Sequence, residues 1–163
     1  MKKIYLTIML VVAMISFTPV FSQTNSTEEK EIKALRSQYF DGWNSRDLNK
    51  VMDCFGKAEG LNIAGGQTYT LDSLKVIWPR DYWNKRRDEK FWLDNLIVIS
   101  ETKNSAVAQI TYSGRYTYIP TEVTWDYNKS AFMTCLIRKQ NGKWKIVASH
   151  WSAYGKQIPK SKN

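Results

Sequence analysis

The chain has 163 residues, of which 24 are Lys or Arg, 15 are Asp or Glu and one is His, and its formal net charge is +9. This length predicts a single domain, and a 43% share of hydrophobic residues excludes a disordered chain. One His and two Cys exclude the common zinc sites, which need several such ligands. We therefore predict no metal site, and a Ser-His-Asp triad would have to use His150.

The first 22 residues have the layout of a secretory signal peptide. Two lysines precede an apolar stretch over 4–17, Pro19 interrupts it, and small residues lead to a cleavage site after Ser22. We predict a secreted or periplasmic protein with no stable membrane insertion after cleavage. A retained anchor is the alternative, because the 18 residues of 4–21 are near the lower limit for a membrane span.

Helical periodicity dominates the first part of the remaining chain. An amphipathic helix is predicted over 27–44. Its apolar positions recur at helical spacing: Ile32, Leu35, Tyr39 and Trp43. Asp47 is the predicted cap of a second helix that ends at Gly56. Asp72 and Ser73 offer a cap for a third helical region, and Pro79 predicts a kink or a new helical start.

From residue 91 onward the hydrophobic period changes to two. Strands are predicted over 92–99, 106–118, 128–139 and 143–151. Asn141-Gly142 is a strong signal for a two-residue hairpin turn. Residues 155–163 are polar and basic and predict a flexible tail, so the folded domain is 23–154. Helices followed by hairpin-connected strands predict an α+β fold with an antiparallel sheet.

Two stretches resemble the nuclear transport factor 2-like superfamily. Residues 38–47, QYFDGWNSRD, resemble the end of its first helix, and residues 141–152, NGKWKIVASHWS, resemble the closing strand of its SnoaL-like branch. The resemblance implies a cone-shaped roll, also called cystatin-like, in which a curved antiparallel sheet wraps around helices and leaves a pocket. Members include isomerases, cyclases, dehydratases and non-catalytic association domains, so the fold alone leaves the function open.

The resemblance also assigns candidate site residues. Tyr39 falls where the steroid isomerases of the family have the Tyr that donates to an oxyanion. Their second acidic donor falls on Thr134 and their base near 62–64, where this chain has no carboxylate, so we expect their mechanism to be absent and assign no catalytic residue. We predict a ligand pocket formed by two helix residues and four sheet residues: Tyr39, Trp43, Ile110, Tyr112, Thr134 and Trp151.

The same match predicts which residues face away from the pocket. If Thr134 and Trp151 face the pocket, period two directs His150 away from it, where its role would be structural. Two apolar rows then lie on the outer face of the sheet. These rows are Met133, Cys135 and Ile137, and Trp144, Ile146 and Ala148. Exposed apolar rows usually mark an interface, so we predict a homodimer with two-fold symmetry.

The leading hypothesis is an exported SnoaL-like domain that binds a small, mostly apolar molecule without a cofactor. The alternatives are a non-catalytic association module and a cyclase, isomerase or hydrolase with an unidentified base. The basic patch at 85–90 also contains two acidic residues, and we interpret it as a solvated helix end. The predicted export argues against a nucleic-acid partner. Cys54 and Cys135 lie 81 residues apart, which leaves a disulfide and buried thiols both open; we favour thiols.

Overall fold

The computed structural model describes residues 26–56, 61–64 and 67–158, and for 26, 61–64, 100 and 101 it describes the backbone alone. The predicted signal peptide, 1–22, lies outside these ranges. Within them, no helix combines the length and the apolar character needed to cross a membrane.

Three α-helices precede most of the sheet in the described part of the chain. They are α1 (Ser26–Asn44), α2 (Leu48–Met52) and α3 (Leu71–Ile77). A π-helical segment, Trp78–Tyr82, follows α3 with Pro79 in its first turn, which confirms the predicted new start. A 3₁₀ turn, Trp83–Lys85, then leads into the sheet.

The ends of α2 and α3 differ from the sequence predictions. The side chain of Asp47 caps α2 by accepting a hydrogen bond from the Lys50 amide at 3.0 Å, as predicted. However, α2 ends at Met52, because Phe55 forms an isolated bridge with Ile146 in the sheet. Thr70, rather than Asp72, caps α3 by accepting from the Ser73 amide at 3.2 Å.

In the described part of the chain the sheet has eight strands. In chain order they are β1 (Leu61–Ala64), β2 (Gln67–Tyr69), β3 (Arg86–Thr102), β4 (Ser105–Tyr118), β5 (Val123–Asp126), β6 (Ala131–Gln140), β7 (Lys143–Ala153) and β8 (Lys156–Ile158). Their order is β2-β1-β7-β6-β4-β5-β8, and β3 pairs with β4. All pairs are antiparallel except β1 with β7. The α+β class is therefore confirmed.

Two connections bear on the predicted boundaries. Asn141 and Gly142 join β6 to β7 with φ angles of 51° and 75°, as a two-residue turn of the expected kind requires. The segment predicted as a flexible tail, 155–163, contains β8, which pairs with β5. Residues 159–163 lie outside the described ranges.

We call the sheet face that packs against α1 the inner face and the opposite one the outer face. Residues directly opposite each other in an antiparallel pair share a face. Met133 is opposite Trp151, and Thr134 is opposite His150. Met133 is buried in the core with Trp151 packed against it, whereas Thr134 and His150 are exposed. The predicted placement of Thr134 beside Trp151 is therefore wrong, because it is off by one residue in register.

A β-bulge in β7 explains a second correction. Leu136 pairs with Ala148 but Ile137 pairs with Ile146, so Val147 has no partner in the ladder. The bulge places Ile146 and Trp151 on the same inner face although their numbers differ in parity. Together, the register and the bulge place five residues of the two predicted outer rows in the core: Met133, Cys135, Ile137, Trp144 and Ile146. From these rows, Ala148 alone lies on the outer face.

Helix α1 is joined to the sheet by its last residue as well as by apolar packing. The Asn44 side chain donates from Nδ2 to the Phe91 carbonyl and accepts from the Phe91 amide, both at 2.7 Å. Cys54 and Cys135 are both free and buried in the core, which confirms the prediction of thiols.

Candidate functional site

A cavity of about 470 Å³ lies between α1 and the inner face of the sheet. Aromatic residues form most of its wall. The residues that border it are Tyr39, Phe40, Trp43, Tyr82, Arg86, Phe91, Tyr112, Tyr116, Tyr127, Met133, His150, Trp151, Ser152, Ala153 and Tyr154. Volumes of this order are typical of small-molecule sites.

The structure brings four of the six predicted pocket residues together. They are Tyr39, Trp43, Tyr112 and Trp151. Ile110 is buried in the core and does not border the cavity. Thr134 is exposed on the outer face, and its neighbour Met133 borders the cavity instead.

Trp43 and Trp151 are held by a network of aromatic contacts. Trp43 contacts six aromatic rings at centroid distances between 5.0 and 6.4 Å: Tyr39, Trp78, Tyr82, Trp83, Phe91 and Trp151. Trp151 also stacks on Trp78 at 5.9 Å and meets the Tyr39 ring edge-to-face at 6.3 Å. Such contacts fix ring orientation, so this part of the wall is preorganised for a ligand.

Two tyrosines of the wall remain protonated far above neutral pH. Burial raises the pKa of Tyr39 well above its ordinary value, and the nearby Arg36 opposes that rise. Burial also raises the pKa of Tyr112 to about 12. Both hydroxyl groups are therefore available as hydrogen-bond donors to a ligand.

A fully buried arginine lies directly beneath this wall. The Arg36 guanidinium is 4.6 Å from the centroid of the Tyr39 ring, and its Nη2 lies 2.8 Å from the Met133 sulfur. Its Nη1 lies 3.8 Å from the Cys135 sulfur, and its Nε has no hydrogen-bond partner. The sequence analysis missed Arg36, although it lies four residues after Ile32 and therefore on the apolar face of α1.

A second arginine borders the cavity but has a counter-charge. The Arg86 guanidinium lies 4.6 Å from the Tyr82 ring centroid and 4.0 Å from that of Tyr116. Its Nη1 is 3.0 Å from a carboxylate oxygen of Glu89, whose side chain is 2% exposed. Arg86 is thus part of the cavity wall, which corrects the interpretation of 85–90 as a solvated helix end.

Acid–base groups contribute little to the described wall. No Asp or Glu is among the described residues that border the cavity. His150 borders it, but its side chain is exposed and lies on the outer face, as predicted. The side chains of 62–64, where a family base would fall, lie outside the described part of the structure. Among the described residues, no group of three or more His, Cys, Asp or Glu could hold a metal ion.

Comparison with solved structures identifies the class of fold. The chain is similar to the hexachlorocyclohexane dehydrochlorinase LinA-type3 from Novosphingobium barchaimii LL02, with a TM-score of 0.72, 13% identity, and coverage of 81% of this chain and 90% of that one. It is similar to a ketosteroid isomerase-like protein from Erwinia carotovora atroseptica SCRI1043, with a TM-score of 0.64, 17% identity, and coverage of 79% and 98%.

A third similar structure is an NTF2-like protein of unknown function from Pseudomonas putida KT2440, with a TM-score of 0.64, 18% identity, and coverage of 81% and 90%. No protein-family model matches the chain, and no curated protein matches it either. The chain has the fold of the nuclear transport factor 2-like superfamily, as the two sequence stretches predicted.

Proposed function

We propose that this protein is an exported binding protein whose cavity holds a small, mostly apolar molecule. The observation that carries the proposal is the open cavity of about 470 Å³ with its preorganised aromatic wall. Apolar and aromatic walls with a few oriented polar groups are typical of small-molecule sites. Tyr39 and Tyr112 supply such groups.

The same cavity separates this proposal from its alternatives. An association module with a vestigial pocket would be expected to fill that space with side chains, and here the space is open. An enzyme that abstracts a proton needs a base within reach of the substrate. Because no carboxylate borders the described part of the cavity, the features present support binding.

The binding proposal is tested with the fluorophore N-phenyl-1-naphthylamine, which is neutral and apolar. Wild-type protein should bind one equivalent with a rise in probe fluorescence. Trp151→Ala should weaken binding about tenfold or more, since an aromatic contact of this size contributes on the order of 1.5–3 kcal/mol. Trp92→Ala is the control, because Trp92 is 46% exposed and does not border the cavity. The proposal is contradicted if wild-type protein shows no saturable binding, or if both variants lose the same affinity for the probe.

Export is the part of the proposal that rests on residues 1–22. In the protein's own host, the mature form should begin near residue 23 and be found outside the cytoplasm. N-terminal sequencing of the purified protein tests this. An intact Met1 on a cytoplasmic form would contradict it.

We also propose that the protein forms a homodimer through the outer face, with an interface different from the buried rows predicted above. Three aligned sets of residues cross β3, β4, β6 and β7: Asn95, Thr111, Phe132 and Ser152; Ile97, Gln109, Thr134 and His150; Ile99, Val107, Leu136 and Ala148. None of them is a Lys, Arg, Asp or Glu, although the chain has a net charge of +9. A second copy that covers only these three sets would therefore meet them without like-charge repulsion.

The exposed apolar residues of this face provide the test. Ile97 is 51% exposed, and Phe132 is 46% exposed. Ile97→Glu should convert a dimer to a monomer, because it would place a charge within the proposed interface. Val76→Glu, at a residue of α3 that is 57% exposed, is the matched control and should leave the mass unchanged. A monomeric wild-type protein by light scattering at micromolar concentration would contradict the dimer.

A further inference from the structure

The buried Arg36 guanidinium contacts no carboxylate of the described residues. None of its contacts in the described part of the chain is an acid: they are the Met133 and Cys135 sulfurs and the rings of Tyr39 and Phe40. Sulfur atoms are weak acceptors, and Nε donates to no acceptor among the described residues. An arginine cannot lose its proton in a protein, so this site holds a positive charge with little compensation.

A buried charge with so little compensation destabilises the folded protein. Burial removes the hydration of the guanidinium, and cation–π contacts with the nearby aromatic faces offset part of the free energy that is lost. The contrast with Arg86 is direct, because Arg86 borders the same cavity and is paired with Glu89 at 3.0 Å. Of these two arginines, Arg36 is thus the one that has no acidic partner among the described residues.

Arg36 is separated from the cavity by a single layer of side chains. Three residues that touch its guanidinium also border the cavity: Tyr39, Phe40 and Met133. The Met133 thioether is flexible and a weak acceptor, so an anionic oxygen entering from the cavity would be a stronger partner for Nη2.

We propose that the cavity selects an organic anion with an apolar body, whose charged group is attracted to Arg36 beneath the wall formed by Tyr39, Phe40 and Met133. The inference rests on the proposed binding function and adds the chemical class of the ligand. The aromatic wall receives the apolar body, and the charged group lies near the Tyr39 hydroxyl and Met133. Because Glu89 already neutralises Arg86, Arg36 is the residue that discriminates an anion from a neutral molecule of the same shape.

The experiment compares two fluorophores that share their rings and differ by one sulfonate. They are 8-anilinonaphthalene-1-sulfonate, which is anionic, and N-phenyl-1-naphthylamine, which is neutral. Arg36→Met should weaken binding of the anionic probe about tenfold or more and leave the neutral probe within about twofold, because charge-assisted contacts are lost without a change in apolar volume. Arg115→Met removes an equal charge from an exposed position of β4 and should affect neither probe by more than about twofold.

Each outcome decides between the inference and the proposed function. Equal weakening of both probes, or no change for either, overturns the anion inference and leaves ligand binding in place. If wild-type protein binds the neutral probe and not the anionic one, the anion inference is likewise overturned and ligand binding stands. If wild-type protein binds neither probe with saturation, the proposed binding function itself fails, and the anion inference fails with it.

A measurement on wild-type protein covers the case in which Arg36→Met does not fold. The neutral probe is displaced with 2-naphthoate and, separately, with 2-naphthamide, which have the same rings and nearly the same shape. The carboxylate should displace the probe at a concentration about tenfold lower than the amide. Displacement at equal concentrations would overturn the inference without any substitution in the chain.

Discussion

The Arg36 guanidinium lies 4.6 Å from the centroid of the Tyr39 ring, at a position three residues earlier on α1, and the guanidinium is fully buried. Burial and the charge of Arg36 have opposite effects on the pKa of Tyr39. Burial raises the pKa of Tyr39, and the positive charge of Arg36 lowers it. A hydroxyl donor and a cation are thereby stacked beneath one cavity, in a core that is otherwise aromatic and aliphatic.

Arg36→Met should increase the stability of the ligand-free protein. Replacing a buried charge with an apolar side chain of similar length removes the desolvation cost, and such replacements are neutral or stabilising by about 1–4 kcal/mol. The free energy of unfolding from urea titration measures the effect. Arg36→Ala is the comparison and should be less stable than Arg36→Met, because it also leaves a void. A loss of more than about 2 kcal/mol in Arg36→Met would show that the cation–π contacts outweigh desolvation.

Asn44 should be one of the most sensitive polar positions of the fold. It makes two hydrogen bonds of 2.7 Å with the backbone of Phe91 and thus connects the end of α1 to β3. Asn44→Ala should cost about 2–3 kcal/mol, because both backbone groups of Phe91 lose their partner in a partly buried site. Asn44→Asp keeps the acceptor for the Phe91 amide but places a carboxylate against the Phe91 carbonyl, so it should be destabilising as well.

Urea unfolding of both variants, with Asn84→Ala as a control at an exposed position of the 3₁₀ turn Trp83–Lys85, checks this prediction. If Asn44→Ala and the control lose the same free energy of unfolding, the two hydrogen bonds contribute little to stability. Because Phe91 also borders the cavity, Asn44→Ala should weaken binding of the neutral probe in addition.

The sequence was sufficient for much of the fold because its patterns were local. Helical spacing predicted α1, and strict alternation predicted the inner face of β4, where Ala108 and Ile110 are both buried. The turn at Asn141-Gly142 follows from the need for positive φ at both positions. Each of these signals depends on neighbouring residues alone.

The errors arose where the pattern depended on distant pairing. Val147 is apolar and buried like the preceding Ile146, so the sequence of β7 does not mark it as the extra residue of a bulge. Thr134 was placed by counting across a hairpin, and a shift of one residue reverses the face of a strand. Arg36 was visible on the apolar face of α1 but was not considered, since a lone arginine is rarely buried.

Gly114 should not tolerate a side chain, because β4 approaches the Phe91 ring there. A Cβ added at Gly114 would overlap the ring of Phe91, its partner in the sheet. Gly114→Ala should therefore cost about 1–3 kcal/mol and push the ring towards the cavity. The double variant Phe91→Leu/Gly114→Ala tests the cause, since Gly114→Ala should be less costly once the ring is absent. If the losses of unfolding free energy in the two single variants add up to that of the double variant, the strain at Gly114→Ala does not come from the Phe91 ring.

The two thiols should make the protein lose stability at alkaline pH. Burial raises the pKa of Cys54 from 9.0 to about 11, and burial also raises the pKa of Cys135. Below pH 9 both the folded and the unfolded chain keep these protons. Between pH 9 and 11 the unfolded chain releases them and the folded chain does not, so the free energy of unfolding falls as the pH rises.

The decrease of the unfolding free energy with pH is large enough to measure. One fully shifted group contributes a slope of up to about 1.4 kcal/mol per pH unit within that window. Cys54→Ala should reduce the slope of the unfolding free energy against pH, while the value at pH 7 changes mainly through the lost side-chain volume. In the same experiment a thiol reagent at pH 8 should label neither cysteine in the native protein and both in denaturant, because burial keeps both thiols protonated and out of contact with solvent. Fast labelling of Cys54 in the native protein, or an unchanged slope in Cys54→Ala, would contradict the assignment of the raised pKa to its burial.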